Sequence, residues 1–302
     1  MDAHSGRTVV VGIDGSESAL RAVRWASAEA ARRRIPLRVV MAFDWTQNHA
    51  IGEIQLGASY RDIMLNQARR NLADATAVAA RAVEGIEVEN QLVAGFPIAV
   101  LAAESEQAQL VVIGDRGLGG VSGLLLGSVA AGLGAHAKSP LVVVRGDDAD
   151  PDPAAPVVVG VDGSPLSEAA VAYAYEAAAA RGVPLVAVHT WSEVVGDLDV
   201  APLLDWDALE TEEREVLAER LAGWGEKYPD VPLQRIVTKD RPAHALVEQS
   251  RRAQLVVVGS RGRGGFKGLL LGSVSHAVLH RSHCPVAVVR SDTGNSGTGK
   301  DA

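Results

Sequence analysis

The chain has 302 residues, about twice the ~150 of a typical domain, so two separately buried cores fit and a small disulfide-stapled scaffold is excluded. Hydrophobic residues make up 47% and charged residues 22%, which excludes chain-wide disorder. The net charge of −8 opposes non-specific attraction to nucleic acid or anionic lipid, and the single Cys284 allows neither an internal disulfide nor a cysteine metal cluster, which fits a reducing, cytoplasmic compartment.

The first residues, MDAHSGR, carry no signal-peptide pattern and lead into an apolar run. In chain order, Thr8–Ile13, Leu37–Phe43, Glu87–Val93, Leu110–Gly114 and Leu141–Arg145 read as strands. They are mostly continuous Val, Ile and Leu, as a parallel sheet covered on both faces requires. Between them Ser18–Arg34, a segment around Ser59–Val83, Pro97–Glu106 and Ser128–Ala137 read as helices. The charge-free stretch Gly117–Ala135 is not read as a membrane span: it carries seven glycines, and its later counterpart contains Arg263 and Lys267. GDDADPDPAAP, Gly146 to Pro156, is acidic and Pro-rich and predicts an extended, solvated linker. Beyond it Val157–Val161, Leu185–Trp191, Leu233–Thr238, Leu255–Gly259 and Val286–Arg290 form a second set of strands, and the small polar tail from Ser291 predicts disorder.

The second set is a copy of the first. VVVGIDGS at Val9–Ser16 returns as VVVGVDGS at Val157–Ser164, and VVIGDRGLGGVSGLLLGSV from Val111 returns as VVVGSRGRGGFKGLLLGSV from Val256. The expected organisation is one domain over residues 1–146, a linker over 147–156, a second domain over 157–290 and a tail over 291–302. Each domain is read as α/β, a doubly wound five-stranded parallel sheet. Such sheets bind ligands beyond the carboxyl ends of their strands, where strand order reverses.

Two features fall at those ends. After the fourth strand comes Gly114-Asp115-Arg116-Gly117, nine residues, then Gly127-Ser128; the second copy repeats this as Gly259-Ser260-Arg261-Gly262, nine residues, Gly272-Ser273. Glycines let backbone amides converge on a phosphate chain, and a helix opening at Gly-Ser presents unpaired amides, a positive dipole end and a hydroxyl. A merely close-packed glycine loop is the competing reading; three glycines at set places arise by chance at roughly one start point per thousand at this glycine content. Two occurrences in register show that the pattern preceded the duplication. Asp14 and Asp162 end the first strand of each copy, where a carboxylate can accept from ribose hydroxyls or, alternatively, cap the next helix.

These motifs resemble the universal stress protein family, specifically its tandem, ATP-binding branch common in actinobacteria, including mycobacteria, with the adenine-nucleotide alpha hydrolase-like sheet. The resemblance covers almost the whole chain, and the family's G-x2-G-x9-G-S/T motif is matched twice. It implies that Asp14 and Asp162 meet ribose, and that Gly114, Gly117, Gly127, Ser128, Gly259, Gly262, Gly272 and Ser273 meet phosphate. Val129 and Val274 match the residue that follows, and backbone near Ala42 and Thr190 would meet adenine. It also implies ATP, with or without Mg2+, as the ligand, and a homodimer through the last strands.

The copies differ at Asp115, Leu118 and Ser122 against Ser260, Arg263 and Lys267. An Asp beside triphosphate calls for a divalent cation, whereas Arg and Lys attract the phosphates directly, so tighter and less metal-dependent binding is expected of the second half. Other features carry less. Gly294 to Lys300 has most of a Walker A spacing but no strand before it and Asp301 in the Ser/Thr place. His136, His276, His280 and His283 form no metal set repeated in both copies. Cys284, before Pro285, reads as a buried thiol, and Trp45 and Trp191 as core or cleft-rim residues.

No catalytic base or metal-bound carboxylate set recurs in both copies, so the nucleotide is expected to be bound and sensed, with no enzyme activity beyond slow ATP hydrolysis; the resemblance implies a nucleotide-dependent regulator or sensor in stress response or dormancy, acting on a protein partner. Two alternatives remain: a slow ATPase or nucleotidyl-transfer enzyme, although the signature SGGxDS is missing, and an interaction module with vestigial sites pairing through Leu141–Arg145 and Val286–Arg290.

Overall fold

A computed structural model describes residues 8–43, 57–117, 127–145, 152–191, 206–263 and 271–290. The first half contains β1 (Thr8–Ile13), α1 (Glu17–Arg33), β2 (Leu37–Phe43), α2 (Gly57–Ala82), β3 (Val88–Ala94), α3 (Pro97–Glu104), β4 (Ala108–Gly114), α4 (Ser128–His136) and β5 (Leu141–Val144). The second contains β6 (Val157–Gly160), α5 (Pro165–Arg181), β7 (Leu185–Trp191), α6 (Trp206–Arg220), α7 (Trp224–Lys227), β8 (Leu233–Lys239), α8 (Pro242–Ser250), β9 (Leu255–Gly259), α9 (Ser273–Arg281) and β10 (Val286–Val289).

Local chemistry sets the helix ends. Ser16 and Ser164 cap α1 and α5, their hydroxyls accepting from the amides of Ala19 and Ser167 at 3.2 Å. Both helices close on a left-handed residue, Arg34 at φ 55° and Gly182 at φ 64°; the second copy has the residue this conformation favours, whereas the first holds an arginine in it.

The strands form one sheet of ten in the order β3-β2-β1-β4-β5-β10-β9-β6-β7-β8. Within each half all pairing is parallel, but β5 and β10 pair antiparallel, with Val143 opposite Val286 and Leu141 opposite Val288. This corrects the expected dimer through the last strands: those edges are occupied by each other within one chain. The outer edges are β3, which exposes Glu89, Asn90 and Gln91, and β8, which exposes Gln234 and Arg235, side chains that discourage further strand addition. The linker expectation also changes at its end, where Ala155 is buried and its carbonyl accepts from Gln254 Nε2 at 2.6 Å.

Buried Val and Leu side chains alternate between two cores. One lies under α1, α2, α5 and α6, the other under α3, α4, α8 and α9. Where the halves meet, α1 packs on α5. Glu29 of α1, fully buried, binds Arg181 of α5 at 2.7 Å and Arg33 of its own helix at 2.7 Å. The Arg33 guanidinium lies 5.4 Å from the centre of the Tyr173 ring, and Arg181 lies 5.7 Å from that of Trp25. Arg33 and Trp25 align with Arg181 and Tyr173 in the repeat, so the two stacks are pseudo-symmetric equivalents. On the opposite face Arg145 donates to the Leu279 carbonyl near the end of α9, and Arg290 donates to the Ala135 carbonyl near the end of α4. Each is a cation on the negative end of the other half's helix.

Burial pushes the Glu29 carboxyl up, but the Arg181 and Arg33 guanidiniums outweigh it and hold the group below its ordinary 4.5. A lowered folded value means that the stabilisation is present above the unfolded carboxyl value of ~4.3 and is lost as pH falls through the folded one. Glu29→Ala leaves Arg181, Arg33 and the more distant Arg32, at 3.4 Å, without their shared partner and is expected to cost ~3–5 kcal/mol in urea unfolding at neutral pH. Glu29→Gln is expected to flatten the acid-side loss of stability seen in the unmodified chain.

Candidate functional site

In each half the site is built where strand order reverses, between the carboxyl ends of β1 and β4 in the first half and of β6 and β9 in the second. Asp14 follows β1. Its Oδ1 accepts from the Ser16 amide at 2.9 Å, and a Cβ at Gly117 would lie 2.5 Å from its Oδ2. The second half repeats this: Asp162 Oδ1 accepts from the Ser164 amide at 2.9 Å and the Ser164 hydroxyl at 2.7 Å. Its Oδ2 accepts from the Arg263 amide at 3.0 Å and fills the space a Gly262 side chain would need. The turn reading of these aspartates therefore holds: each carboxylate is fastened to the backbone two residues on, and it also faces the glycine loop.

Register places the second-strand positions opposite. Ile13 pairs with Met41 and Gly160 with Val188, so Ala42 lies level with Asp14, and Thr190 with Asp162. There β2 and β7 run past their inner neighbours, and the backbone facing the site is released from the ladder on that side.

The loop closes through Gly127 N donating to Asp115 O at 2.9 Å and Gly272 N donating to Ser260 O at 2.8 Å. Gly127 and Gly272 are the N-caps of α4 and α9 and make no side-chain cap; the next residues, Ser128 and Ser273, are exposed. The opening amides of both helices thus point out beside the glycine turns, while Val129 and Val274 pack inward against the core. Gly114 and Gly259 are explained without a ligand. A Cβ at Gly114 would lie 2.7 Å from the Ser18 carbonyl carbon of α1, and one at Gly259 would lie 3.1 Å from the Leu166 carbonyl carbon of α5, so both are sites of close helix–strand approach.

Asp115 is a correction. The sequence reading set it beside the phosphates as a metal-dependent carboxylate, but its side chain is 5% exposed and turns into the fold. There it accepts from the Ser18 hydroxyl at 2.7 Å and pairs with Arg21 at 3.6 Å and Arg116 at 3.4 Å. The repeat replaces the whole set, with Leu166, Ala169 and Ser260 where Ser18, Arg21 and Asp115 stand. The difference is an exchange of one packing solution for another, and a Mg2+ ligand role for Asp115 does not fit. Leu118, Ser122 and Lys267 lie outside the described residues, as do Trp45 and the Gly294–Lys300 segment.

The remaining sequence candidates stay apart from the site. Cys284 is buried, and burial pushes its thiol up to about 12. His136 bonds its own helix at the Gly132 carbonyl, and the His276 and His280 rings lie 4.3 Å apart, one turn from each other on α9. No cluster of three metal-ligating side chains occurs among the described residues. The ring of Trp191 lies 5.8 Å from Lys239 Nζ at the strand end. Sequence reasoning missed His189, one residue before Thr190. It is buried, with Nδ1 at 2.7 Å from the Val161 carbonyl and Nε2 at 2.8 Å from Glu213 of α6, and so ties α6 to the site's floor. Met41 is its counterpart, so the repeat gave no signal for it.

The comparisons agree with this layout. The family model described as the universal stress protein family matches residues 6–145 and again 154–290. Universal stress protein Rv2005c of Mycobacterium tuberculosis is 45% identical over 287 residues, covering 93% of this chain and 96% of that one. Universal stress protein Rv2623 of the same species is 42% identical, covering 95% and 97%. A universal stress protein crystal structure from Archaeoglobus fulgidus superposes with a TM-score of 0.68 at 22% identity, over 94% of this chain and 96% of that one. No described helix is long and apolar enough to cross a membrane.

The exchange at Asp115 has a measurable consequence. Asp115→Ser alone strands Arg21 and Ser18 and is expected to cost ~1–3 kcal/mol in urea unfolding. The triple change Ser18→Leu, Arg21→Ala, Asp115→Ser, which copies the second half, should recover most of that loss, a coupling of neighbours that additive substitutions lack.

Proposed function

The chain belongs to the universal stress protein family, and from that premise we propose that each half binds one adenine nucleotide, with ATP as the working ligand, and that occupancy regulates a protein partner. The observation that carries the reading is the twice-built contact between the strand-end carboxylate and a loop glycine, Asp14 with Gly117 and Asp162 with Gly262. Any larger residue at these loop positions would displace the carboxylate, so the glycines keep a cleft floor of carboxylate and backbone that a ribose and its 5′ phosphates fit.

The geometry supports a division of roles. Asp14 and Asp162 would accept from ribose hydroxyls, a carboxylate oxygen accepting more than one hydrogen bond. The released backbone at Ala42 and Thr190 would meet the base edge. The amides of the Gly117 and Gly262 turns, and of the helices opening at Ser128 and Ser273, would bind phosphate oxygens. A bound nucleotide would thereby join β1 to α4, and β6 to α9, in a form a partner can read.

A sensor is favoured over an enzyme because both strand-end carboxylates are already held by backbone amides, Ser16 in one half and Ser164 and Arg263 in the other. Neither is poised as a base on an attacking water. The test is to denature freshly purified chain and identify what is released by chromatography. The expected result is adenine nucleotide, up to two per chain. Finding none, with none taken up on addition, would leave only the scaffold, and steady ATP turnover above ~1 per second would favour the enzyme.

A further inference from the structure

The two halves differ at one place beside the strand-end carboxylate. In the first half the space next to Gly15 (φ 92°) is taken by the neutral amide of Asn71 from α2. In the second half the matching space next to Gly163 (φ 75°) is taken by two guanidiniums: a Cβ there would lie 2.7 Å from Arg263 Nη2 and 3.2 Å from Arg220 Nε. Two like charges converging on one point repel unless an anion lies between them. Their local neutralisation is slight. Arg220 meets Glu168 at 3.6 Å in an exposed pair, a contact of small worth, and the Arg263 guanidinium has no ion-pair partner among the described residues. The Asp162 carboxylate beside them already accepts from Ser164 and from the Arg263 amide.

Position gives this pair its meaning. Arg220 ends α6, which packs with α5 on one face of the sheet, whereas α9, whose opening amides face the cleft, packs on the other. Asp162 stands between the two faces at the strand end. A ligand held there through its ribose, with its 5′ phosphate toward α9, would present a second ribose substituent toward Arg220 and Arg263. An arginine beside the ribose-binding acid is the general device by which nucleotide sites of α/β sheets accept a ribose phosphate. Resting on the nucleotide reading above, the geometry points to a second phosphate subsite in the second half alone, formed by Arg220 and Arg263, that takes an adenine nucleotide phosphorylated on its 2′ or 3′ hydroxyl as well as at 5′. The first half, with Asn71, takes nucleotides whose ribose hydroxyls are free.

The test is calorimetric titration of nucleotide-stripped full chain with AMP, ADP, adenosine 3′,5′-bisphosphate and adenosine 2′,5′-bisphosphate. One equivalent of a bisphosphate should bind ~10–100-fold more tightly than AMP, the worth of a charge-assisted contact to phosphate. Arg220→Met and Arg263→Met should each remove most of that gain while AMP binding to the first half is unchanged. The proposal is overturned if both bisphosphates bind no more tightly than AMP, or if their gain survives both substitutions. It is equally overturned if ADP, and not the bisphosphates, shows the arginine-dependent gain, because the pair then serves the 5′ chain. If AMP itself fails to bind, the nucleotide reading falls first; AMP binding without a bisphosphate gain sinks the subsite alone.

Discussion

The strand-end carboxylates and the loop glycines they touch are the constraint from which the site follows. Asp14 Oδ2 stands where a Gly117 side chain would begin, so the carboxyl end of β1 and the turn after β4 approach to a distance that only glycine allows. The same approach recurs at Asp162 and Gly262. It brings a fixed acceptor, free backbone amides and a helix opening to one cleft. A strand-end hydrogen-bond pattern, Asp Oδ1 to the amide two residues on, holds the carboxylate in that position before any ligand arrives, which is preorganisation in the ordinary sense.

The second structural fact is that the two repeated halves join across one interface within the chain. Antiparallel pairing of β5 with β10, the buried Glu29 shared by Arg33 and Arg181, and the crossed arginines Arg145 and Arg290 all lie on the pseudo-twofold. Duplication let the halves diverge there. Glu29 has Ala177 as its repeat counterpart, so one carboxylate serves the equivalent Arg33 and Arg181 where strict symmetry would place two carboxylates. Tyr173, stacked under Arg33, is buried deeply enough that its hydroxyl is pushed up to about 12. The same freedom to diverge appears at the sites, where Asn71 and Arg220 occupy corresponding space.

Much of this was legible in the residues. Continuous Val runs fixed the strands because burial on both faces leaves no polar alternation to blur them, and the repeat located the glycine loops and both aspartates. Element ends differed by a residue or two, as at β3 and α3, where hydrogen bonding and not composition decides. What sequence could not show was direction. Asp115 lies in the glycine loop by number, yet its side chain points into the fold toward Ser18 and Arg21. Nor did spacing reveal that the last strands satisfy each other, since two apolar edges look alike whether they pair within a chain or between chains. Arg220 and His189 were invisible for a third reason: each acts through a neighbour far away in sequence, and the first copy has a different residue in its place.

The most direct measurement of the central claim is binding stoichiometry on the full chain carrying Gly117→Val, Gly262→Val or both, with circular dichroism to confirm the fold. Two equivalents of adenine nucleotide are expected for the unmodified chain, one for each single variant and none for the double. A folded double variant that still bound two equivalents would show that the carboxylate–glycine contact is not what makes the cleft.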